Sequence, residues 1–576
     1  MALVGIWRLA SEGGPNLKTR PLPSGANSLR HQQLSGLNYQ DEGAHGAGLR
    51  IFSGDAEQGG HPDGDNCPLA DGSVEESPES DKPTTGTASL VERARSAVVW
   101  NTGFNIFRDV LQFAQMVFLT RLLDHAAYGM FAFSTSVVGI IAVFSATPFV
   151  SHALQVKSEA ETHFQDHFTA GAVIQFVMFT IANLAAFVIS QIPSYASAAP
   201  LVHVLSLTFL LEWPCEIRRV MIQRRFDFKS LRLLQSVGLI ASTVTSILMA
   251  YAGMGAFALV VPGLLVTLPF TWDLLLQQKW RPLWSFSWSN YSPAFRFGLT
   301  RVGSGVTRTG SVLVETFVLT AMIGFGSLGV FNRAVGLANI VCMKTSAQLM
   351  AAVYPMLTRL ETSSGAAQRA GNLIVRLIIW LMLPAATVLS ILAEPVVHTV
   401  YGVEWHSVTP LLKWTLALSV ATALVHVNYQ LLLARNHSRI CLACDLFSFL
   451  GSVAGLTFAI PFGVIAYLIT QVTVNLLSLL LLVYFLLQAG ALSGWGLCQA
   501  LGPASLSSCL AAAISHQCVG PTQEFQKAIL WGGCFSVVYA VSIRALFPGA
   551  LYELIRLLPR SAQVSRLLML PQKLLT

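Results

Sequence analysis

Charged residues are scarce in this chain. Only 11% of its 576 residues are Asp, Glu, Lys or Arg, whereas 53% are hydrophobic, and the mean hydropathy is +0.58. A soluble globular domain contains about 25% charged residues, so the composition excludes that class. It indicates a protein that lies within a lipid bilayer.

Motifs that would indicate enzymatic chemistry are also missing. No G-x-x-x-x-G-K-[ST] sequence occurs, which argues against ATP hydrolysis by this chain. The nine cysteines are scattered, and the Cys441 and Cys444 pair has no neighbouring metal ligands, so no disulfide framework, metal site or redox site is expected. A membrane polymerase or glycosyltransferase would need a sizeable outer loop with clustered carboxylates, and neither occurs. We therefore expect no enzymatic activity and no cofactor.

Residues 1–92 differ from the rest of the chain. They are rich in Gly, Ser, Pro, Asp and Glu, as in SGDAEQGGHPDGDNCPLADGSVEESPES. This composition supplies too few apolar residues for a packed core. The sequence predicts a disordered cytoplasmic tail over 1–92.

Long apolar stretches fill the remainder of the sequence. From about residue 97 to 546, fourteen or so stretches of roughly 17–25 residues follow one another, and each is long enough to cross a bilayer as a helix. The predicted fold is therefore an all-α polytopic membrane protein. We expect a six-helix bundle over 93–290, a second over 291–490, two further transmembrane helices over 491–548 and a basic tail over 549–576.

The basic loops fall on one side of this arrangement. They include IRRVMIQRRFDFKSLR, QQKWRPLW and ARNHSR, whereas the opposite loops hold almost no Lys or Arg. The positive-inside rule therefore predicts that both termini are cytoplasmic. These loops and their attraction to anionic lipid headgroups explain the net charge of +7, so no nucleic-acid partner is expected.

The first predicted span has a polar face. In WNTGFNIFRDVLQFAQMVF, polar side chains recur at steps of four, three, four and three residues, which confines them to an arc of about 80° on a helix. They are Asn101, Asn105, Arg108, Gln112 and Gln115. One side of this helix is therefore polar through most of the membrane.

The seventh and eighth predicted spans carry basic residues. Arg301, Arg308 and Glu315 are spaced by seven residues and share one stripe of a helix. Arg333 and Lys344 lie about 20° apart on the next helix. Because an Arg near the bilayer centre costs about 2.5–3.5 kcal/mol, these side chains are expected to face protein or water.

The basic residues of the first, seventh and eighth spans outnumber the obvious carboxylate partners. A water-filled, positively charged cavity is the simplest explanation, and such a cavity would attract an anion such as a phosphate-bearing substrate. The carboxylates Asp109, Glu315 and Glu212 lie in or near spans and could carry H⁺ or Na⁺. Each could instead be the partner of an arginine or a helix-end charge.

Two similar segments 200 residues apart indicate an internal repeat. AAYGMFAFS occupies 126–134 and GSLGVFNRA occupies 326–334, each after a polar-faced span. With six spans per half, both halves enter the membrane in the same orientation. The sequence therefore predicts a parallel repeat about a pseudo-twofold axis along the membrane normal, with a cavity between the halves.

Five segments carry a family resemblance. They are RLLDHAAYGMFAFSTSVVGIIAVF, QRRFDFKSLRLLQSVG, GFGSLGVFNRAVGL, AAVYPMLTRL and AEPVVHTVYGVEWHSVTPLLKW. In this order and spacing they resemble the polysaccharide-transporter branch of the multidrug/oligosaccharidyl-lipid/polysaccharide (MOP) exporters, which includes Wzx-type and colanic-acid-type exporters. The resemblance covers roughly residues 95–490, and the long N-terminal tail departs from it.

The resemblance implies a flippase that moves a polyprenyl-pyrophosphate-linked oligosaccharide across a bacterial inner membrane by alternating access. It implies a basic central cavity for that substrate, which falls on Arg108, Arg301, Arg308, Arg333 and Lys344. Membrane lipid, a polysaccharide polymerase and a chain-length regulator are the other implied partners. The alternative is a small-molecule or drug exporter of the MATE type, which would favour an acidic and aromatic cavity over these Arg-led faces.

Overall fold

The computed structural model describes the following residues: 85–150, 152, 161–225, 227–276, 283–357, 365–435, 437–520 and 525–549. The predictions for residues 1–84 of the N-terminal tail and 550–576 of the basic tail lie outside them, whereas residues 85–92, predicted to be part of the disordered tail, are helical. All regular structure in the described residues is helical. The helices are α1 (Thr85–Leu122), α2 (His125–Ala142), α3 (Thr147–Val150), α4 (Glu161–Ser190), α5 (Ala199–Arg224), α6 (Phe228–Tyr251), α7 (Phe257–Leu265), α8 (Leu268–Leu276), α9 (Trp288–Val341), α10 (Met343–Leu357), α11 (Gly365–Ile391), α12 (Ala393–Val400), α13 (Val408–Leu433), α14 (Ser438–Ala459), α15 (Val464–Gln488), α16 (Gly494–Val519) and α17 (Phe525–Leu546).

Twelve segments of the described chain are long and apolar enough to cross a membrane, which confirms the predicted all-α polytopic fold. The fourteen predicted stretches differ from these twelve at two places. Helix α1 is not among the twelve because its charged and amide side chains lower its hydropathy. The seventh and eighth predicted spans are counted together, because α9 continues through a corner at Gly324.

Corners at Asp124 and Gly324 occupy positions that are 200 residues apart. The Asp124 side chain caps α2 by accepting a hydrogen bond from the Ala127 N–H at 2.9 Å, which satisfies one of the free amides at the helix start. Gly324 has a φ of +75°, a conformation that glycine adopts without the steric cost of a side chain. Gly324 therefore separates the two parts of α9 that correspond to the seventh and eighth predicted spans.

The two corners pack on each other through glycine. A Cβ at Gly129 would lie 1.9 Å from the carbonyl oxygen of Phe325, and a Cβ at Gly329 would lie 1.9 Å from the carbonyl oxygen of His125. The contacts are reciprocal, because residues 200 positions apart exchange partners. Two copies of a segment related by a twofold axis make contacts of this kind. The packing favours the predicted repeat, whose extension to two whole bundles stays a prediction.

The largest hydrophobic core runs across both predicted bundles. It contains the fully buried Phe133 of α2, Leu319 of α9 and Leu412 of α13. The Phe133 ring centroid lies 5.0 Å from that of Tyr195 and 4.6 Å from that of Phe317. These offset and tilted ring contacts add to the energy of apolar burial, and they hold α2 against α9.

The last two helices pack on α11. Trp380 Nε1 donates a hydrogen bond to the Ala500 carbonyl of α16 at 3.1 Å, and Tyr539 Oη of α17 donates to the Trp380 carbonyl at 2.8 Å. Pro503 lies inside α16 without ending it. Both helices qualify as membrane spans, as the sequence predicts.

Replacing Gly129 by Ala is expected to destabilise the protein by about 1–3 kcal/mol, because the added methyl group would overlap the Phe325 carbonyl and push α2 from α9. Thermal unfolding of the purified protein in detergent measures the effect. Gly336→Ala is the matched control, because a Cβ at that α9 position meets no atom within 4 Å. Equal stability of the two variants would contradict the close packing of the corners.

Candidate functional site

Helix α1 places two of its amide side chains against α6. Arg232 Nε donates to Asn101 Oδ1 at 2.7 Å, and Thr243 Oγ1 donates to Gln115 Oε1 at 3.3 Å. The contact nearer the N-terminus of α1 is also the one nearer the N-terminus of α6, because the paired residues are 131 and 128 positions apart. The two helices therefore run in the same direction. The polar side of α1 therefore contacts α6 at Asn101 and at Gln115, fourteen residues further along the helix.

Asp109 connects α1 to α10. Its Oδ1 lies 3.1 Å from Arg108 Nη2 and 2.7 Å from Lys344 Nζ. We call Arg108, Asp109 and Lys344 the Asp109 triad. Because it joins two cations to one carboxylate, the triad has a net positive charge. Asp109 is thus the partner of basic residues, which is one of the two alternatives that the sequence left open.

The structure gives less information on the other predicted cavity residues of α1 and α9. Asn105 is half-buried and Gln112 is exposed on α1. The backbones of Arg301 and Arg308 lie in α9, but their side chains lie outside the part of the chain that the structure describes. Their role in a cavity stays a prediction.

Arg232 is a basic residue of this region that the sequence analysis assigned to a cytoplasmic loop. The Asp227 side chain accepts a hydrogen bond from the Ser230 N–H, and this cap starts α6 at Phe228, so Arg232 lies in the second helical turn. Its guanidinium carbon is 5.0 Å from the ring centroid of Phe104. The Asp-x-x-Ser spacing of this cap was the sequence signal that could have placed Arg232 within the helix.

Arg333 lies in an aromatic cluster rather than beside the Asp109 triad. Its guanidinium carbon is 4.3 Å from the Tyr128 ring centroid, and its Nη2 donates to Asn332 Oδ1 at 2.9 Å. Tyr401 Oη donates to the Arg333 carbonyl at 3.2 Å. Burial raises the pKa of Tyr401 to about 12. This placement fits a cation–π contact that holds helices together.

Trp405 completes this cluster at the end of α1. Its Nε1 donates to the Thr120 carbonyl at 2.7 Å, and its ring centroid lies 4.2 Å from that of His125 and 5.4 Å from that of Tyr128. We call His125, Tyr128, Arg333, Tyr401 and Trp405 the Trp405 cluster. Nearby, Arg121 Nη2 donates to the Thr399 carbonyl of α12 at 2.5 Å. The cluster joins the α1–α2 corner to the segment before α13.

Glu315 belongs to a polar network among α9, α14 and α15. Tyr467 Oη donates to Glu315 Oε1 at 2.9 Å. One turn further along α15, Gln471 Oε1 accepts a hydrogen bond from Ser452 Oγ at 3.0 Å. Within the described residues, no Lys or Arg forms an ion pair with Glu315. Among the described residues, Glu315 is therefore a predicted coupling carboxylate without an ion-pair partner.

Glu212 lies in a different charged group on α5. Its charged neighbours are Glu216 and Arg219, which form an ion pair one turn further along the helix. Arg218 of the same helix pairs with Asp273 of α8 at 2.5 Å. Among the described residues, no group of three His, Cys, Asp or Glu side chains could hold a metal ion.

Solved structures share this helical fold. The chain is similar to the lipid II flippase MurJ in an inward closed conformation, with a TM-score of 0.62 and 11% identity over 78% of this chain and 99% of MurJ. An inward-facing multidrug resistance MATE transporter of the MOP superfamily gives a TM-score of 0.50 and 13% identity over 69% of this chain and 98% of that transporter. At these identities the likeness shows the fold. The protein has the fold of the MOP superfamily of membrane transporters.

The sequence identifies the family within this class. The family profile described as "Polysaccharide biosynthesis protein" matches residues 118–410, about half of the chain, so the chain belongs to that family. It is 21% identical to the lipopolysaccharide biosynthesis protein WzxC of Escherichia coli (strain K12), over 62% of this chain and 73% of WzxC. It is 22% identical to the succinoglycan biosynthesis transport protein ExoT of Rhizobium meliloti (strain 1021), over 56% of this chain and 66% of ExoT. The predicted family resemblance is confirmed.

The ion pair between α1 and α10 can be tested with a double-mutant cycle. We expect Asp109→Asn and Lys344→Met to show a coupling energy of about 0.5–1 kcal/mol in thermal unfolding, because both side chains are about one third exposed and water screens their attraction. Lys413→Met is the matched control, since Lys413 is an exposed residue of α13. Additive effects of Asp109→Asn and Lys344→Met would show that the pair contributes nothing to stability.

Proposed function

We propose that this protein is a flippase that carries a lipid-linked oligosaccharide, attached to a polyprenyl diphosphate, across the bacterial inner membrane. The observation that carries the proposal is the Asp109 triad, in which cations of α1 and α10 share one carboxylate. A diphosphate could replace Asp109 between Arg108 and Lys344, because phosphate oxygens accept the same charge-assisted hydrogen bonds. The similarity to WzxC and ExoT supports a substrate from polysaccharide biosynthesis.

The polyprenyl chain would remain in the bilayer during this movement. Each buried CH₂ group contributes about 0.8 kcal/mol, so a long isoprenoid is held firmly in hydrocarbon while its headgroup and sugars pass through protein. Helix α1 suits the wall of such a path. Its apolar residues Ile106 and Val110 are 62% and 65% exposed, whereas Asn101 and Asp109 contact α6 and α10. We infer a lateral opening between the two predicted bundles.

The Trp405 cluster supports a direction of access for this conformation. The positive-inside rule assigns the start of α6, next to Arg224 and Arg225, to the cytoplasm. Because α1 runs parallel to α6, its other end at Thr120 lies at the outer face, where Trp405 binds it. The cluster would therefore close the outer side of the path, and alternating access would require it to separate.

We infer the same orientation for the whole chain, with both termini cytoplasmic and the oligosaccharide released at the outer face. A polysaccharide polymerase and a chain-length regulator would then act on the released unit. Drug export remains the second candidate function, because a MATE transporter shares the fold at a TM-score of 0.50. The cations Arg108, Arg232 and Lys344 favour an anionic substrate over an organic cation.

Complementation of a strain that lacks its own exopolysaccharide flippase tests the proposal. The intact chain is expected to restore surface polymer. At equal membrane levels, Arg108→Ala and Lys344→Ala should each lower polymer export about tenfold or more, because each removes a charged hydrogen-bond donor for the diphosphate. Lys413→Ala, on an exposed position of α13, is the matched control and should export normally.

Two further variants, Arg301→Ala and Arg308→Ala, test the predicted cations of α9 in the same strain.

Normal polymer export by Arg108→Ala and Lys344→Ala would contradict a role for the Asp109 triad in substrate binding. Resistance to organic cations without any restored polymer would instead support drug export and overturn the flippase proposal.

Glu315 is the residue that we propose for coupling to H⁺ or Na⁺. Glu315→Gln keeps the size and the hydrogen bond from Tyr467 but cannot change charge, so transport should lose its dependence on the ion gradient. Uptake of a labelled lipid-linked sugar into proteoliposomes, with and without an imposed gradient, measures this. Tyr484→Phe, at an exposed position of α15, is the control. A Glu315→Gln protein that keeps the gradient dependence of the wild type would exclude this role.

A further inference from the structure

A row of cations and aromatic rings lines the contact between the middle of α1 and the start of α6. Lys229 Nζ lies 6.0 Å from the Trp100 ring centroid, and the Arg232 guanidinium carbon lies 5.0 Å from that of Phe104. Asn101 accepts a hydrogen bond from Arg232. We call Trp100, Asn101, Phe104, Lys229 and Arg232 the α1–α6 seam. None of its cations was assigned to a site by the sequence analysis.

Positive charge accumulates at this seam. The Arg108 guanidinium carbon also lies near the Phe104 ring, 5.9 Å from its centroid. The guanidinium groups of Arg108 and Arg232 therefore lie near the same aromatic ring at the first turns of α6. Such an arrangement is unfavourable in a membrane protein unless an anion or water compensates it.

The described carboxylates do not neutralise Arg232. Asp109 pairs with Arg108 and Lys344, and Asp227 caps the start of α6. In the described part of the chain, the acceptors for Arg232 are the neutral amides of Asn101 and Gln235. These use the Nε donor and one Nη1 donor of the five N–H donors of a guanidinium. Three donors of a half-buried arginine thus remain available to a ligand.

We propose that the α1–α6 seam is a first binding subsite for the diphosphate of the prenyl-linked substrate, at the cytoplasmic end of the path. Arg232 binds phosphate oxygens through its free donors, and Lys229 adds a second positive charge nearer to the cytoplasm. This inference rests on the proposed flippase function and adds a subsite to it.

The seam and the Asp109 triad form two levels along α1. Asn101 and Arg108 are seven residues apart, which corresponds to about 10 Å of helix rise. A diphosphate that binds first at Arg232 would therefore reach Arg108 and Lys344 by moving inward along α1. Arg108 lies near the Phe104 ring as well as in the triad, so it connects the two levels.

Equilibrium binding to the full-length protein in phosphatidylcholine nanodiscs tests the subsite. The probes are radiolabelled farnesyl diphosphate and radiolabelled farnesol, which share the isoprenoid and differ in the headgroup. The wild type is expected to prefer the diphosphate. Arg232→Gln should weaken binding of farnesyl diphosphate roughly ten- to hundredfold and leave farnesol binding unchanged, because it removes the charge and most of the donors.

Arg232→Gln also separates ligand binding from a purely structural role, since a glutamine amide can still donate to Asn101. Arg232→Lys keeps the charge without the planar guanidinium and should bind with intermediate affinity. Arg225→Ala is the matched control, because Arg225 is an exposed arginine in the same basic loop, outside the seam. Its affinity for farnesyl diphosphate should equal that of the wild type. Wild-type affinity in Arg232→Gln would overturn the proposal.

Competition distinguishes the sources of a phosphate ligand. If inorganic pyrophosphate or phosphatidylglycerol displaces the probe as effectively as unlabelled farnesyl diphosphate, the seam is a general anion surface and the proposal is wrong. Failure of the flippase proposal gives a different result: the wild type would not prefer the diphosphate over farnesol and would not restore polymer in cells. Diphosphate preference retained in both the wild type and Arg232→Gln would overturn only the subsite.

Discussion

A charge inside a hydrocarbon layer must be paired or must reach water, and the arrangement of α1 depends on this constraint. Asp109 meets it by joining Arg108 and Lys344, whereas Glu315 accepts a hydrogen bond from the neutral Tyr467 hydroxyl. Arg232 meets it only in part, through neutral amides and an aromatic ring. Incomplete compensation next to a polar helix face is the feature expected of a protein whose anionic ligand completes the site.

The contact between the two corners differs in character from this polar region. Gly129 and Gly329 allow the α2 and α9 backbones to touch, and Trp405 adds a hydrogen bond to the end of α1. These contacts are close, whereas α1 meets α6 and α10 through separated polar groups. A transporter needs this contrast, because one end of the path must be closed while polar groups elsewhere remain able to exchange partners.

Much of this arrangement follows from periodicity. The steps of three and four residues in the first span predict a polar face, and Asn101 and Gln115 of that face contact the same helix. The 200-residue offset predicts that 126–134 and 326–334 are equivalent, and Gly129 and Gly329 occupy reciprocal positions. The role of Arg333 could not be predicted in this way, because its stacking on Tyr128 joins segments about 200 residues apart.

The sequence by itself determined the helical membrane fold and the polar side of α1, because hydropathy and helical spacing are local properties of the chain. It also indicated the family. Only the tertiary structure decided which cations are neutralised: Lys344 reaches Asp109, whereas Arg232 reaches Asn101. Charge compensation depends on distances of a few ångströms between residues more than a hundred positions apart, and those distances are set by how the helices pack.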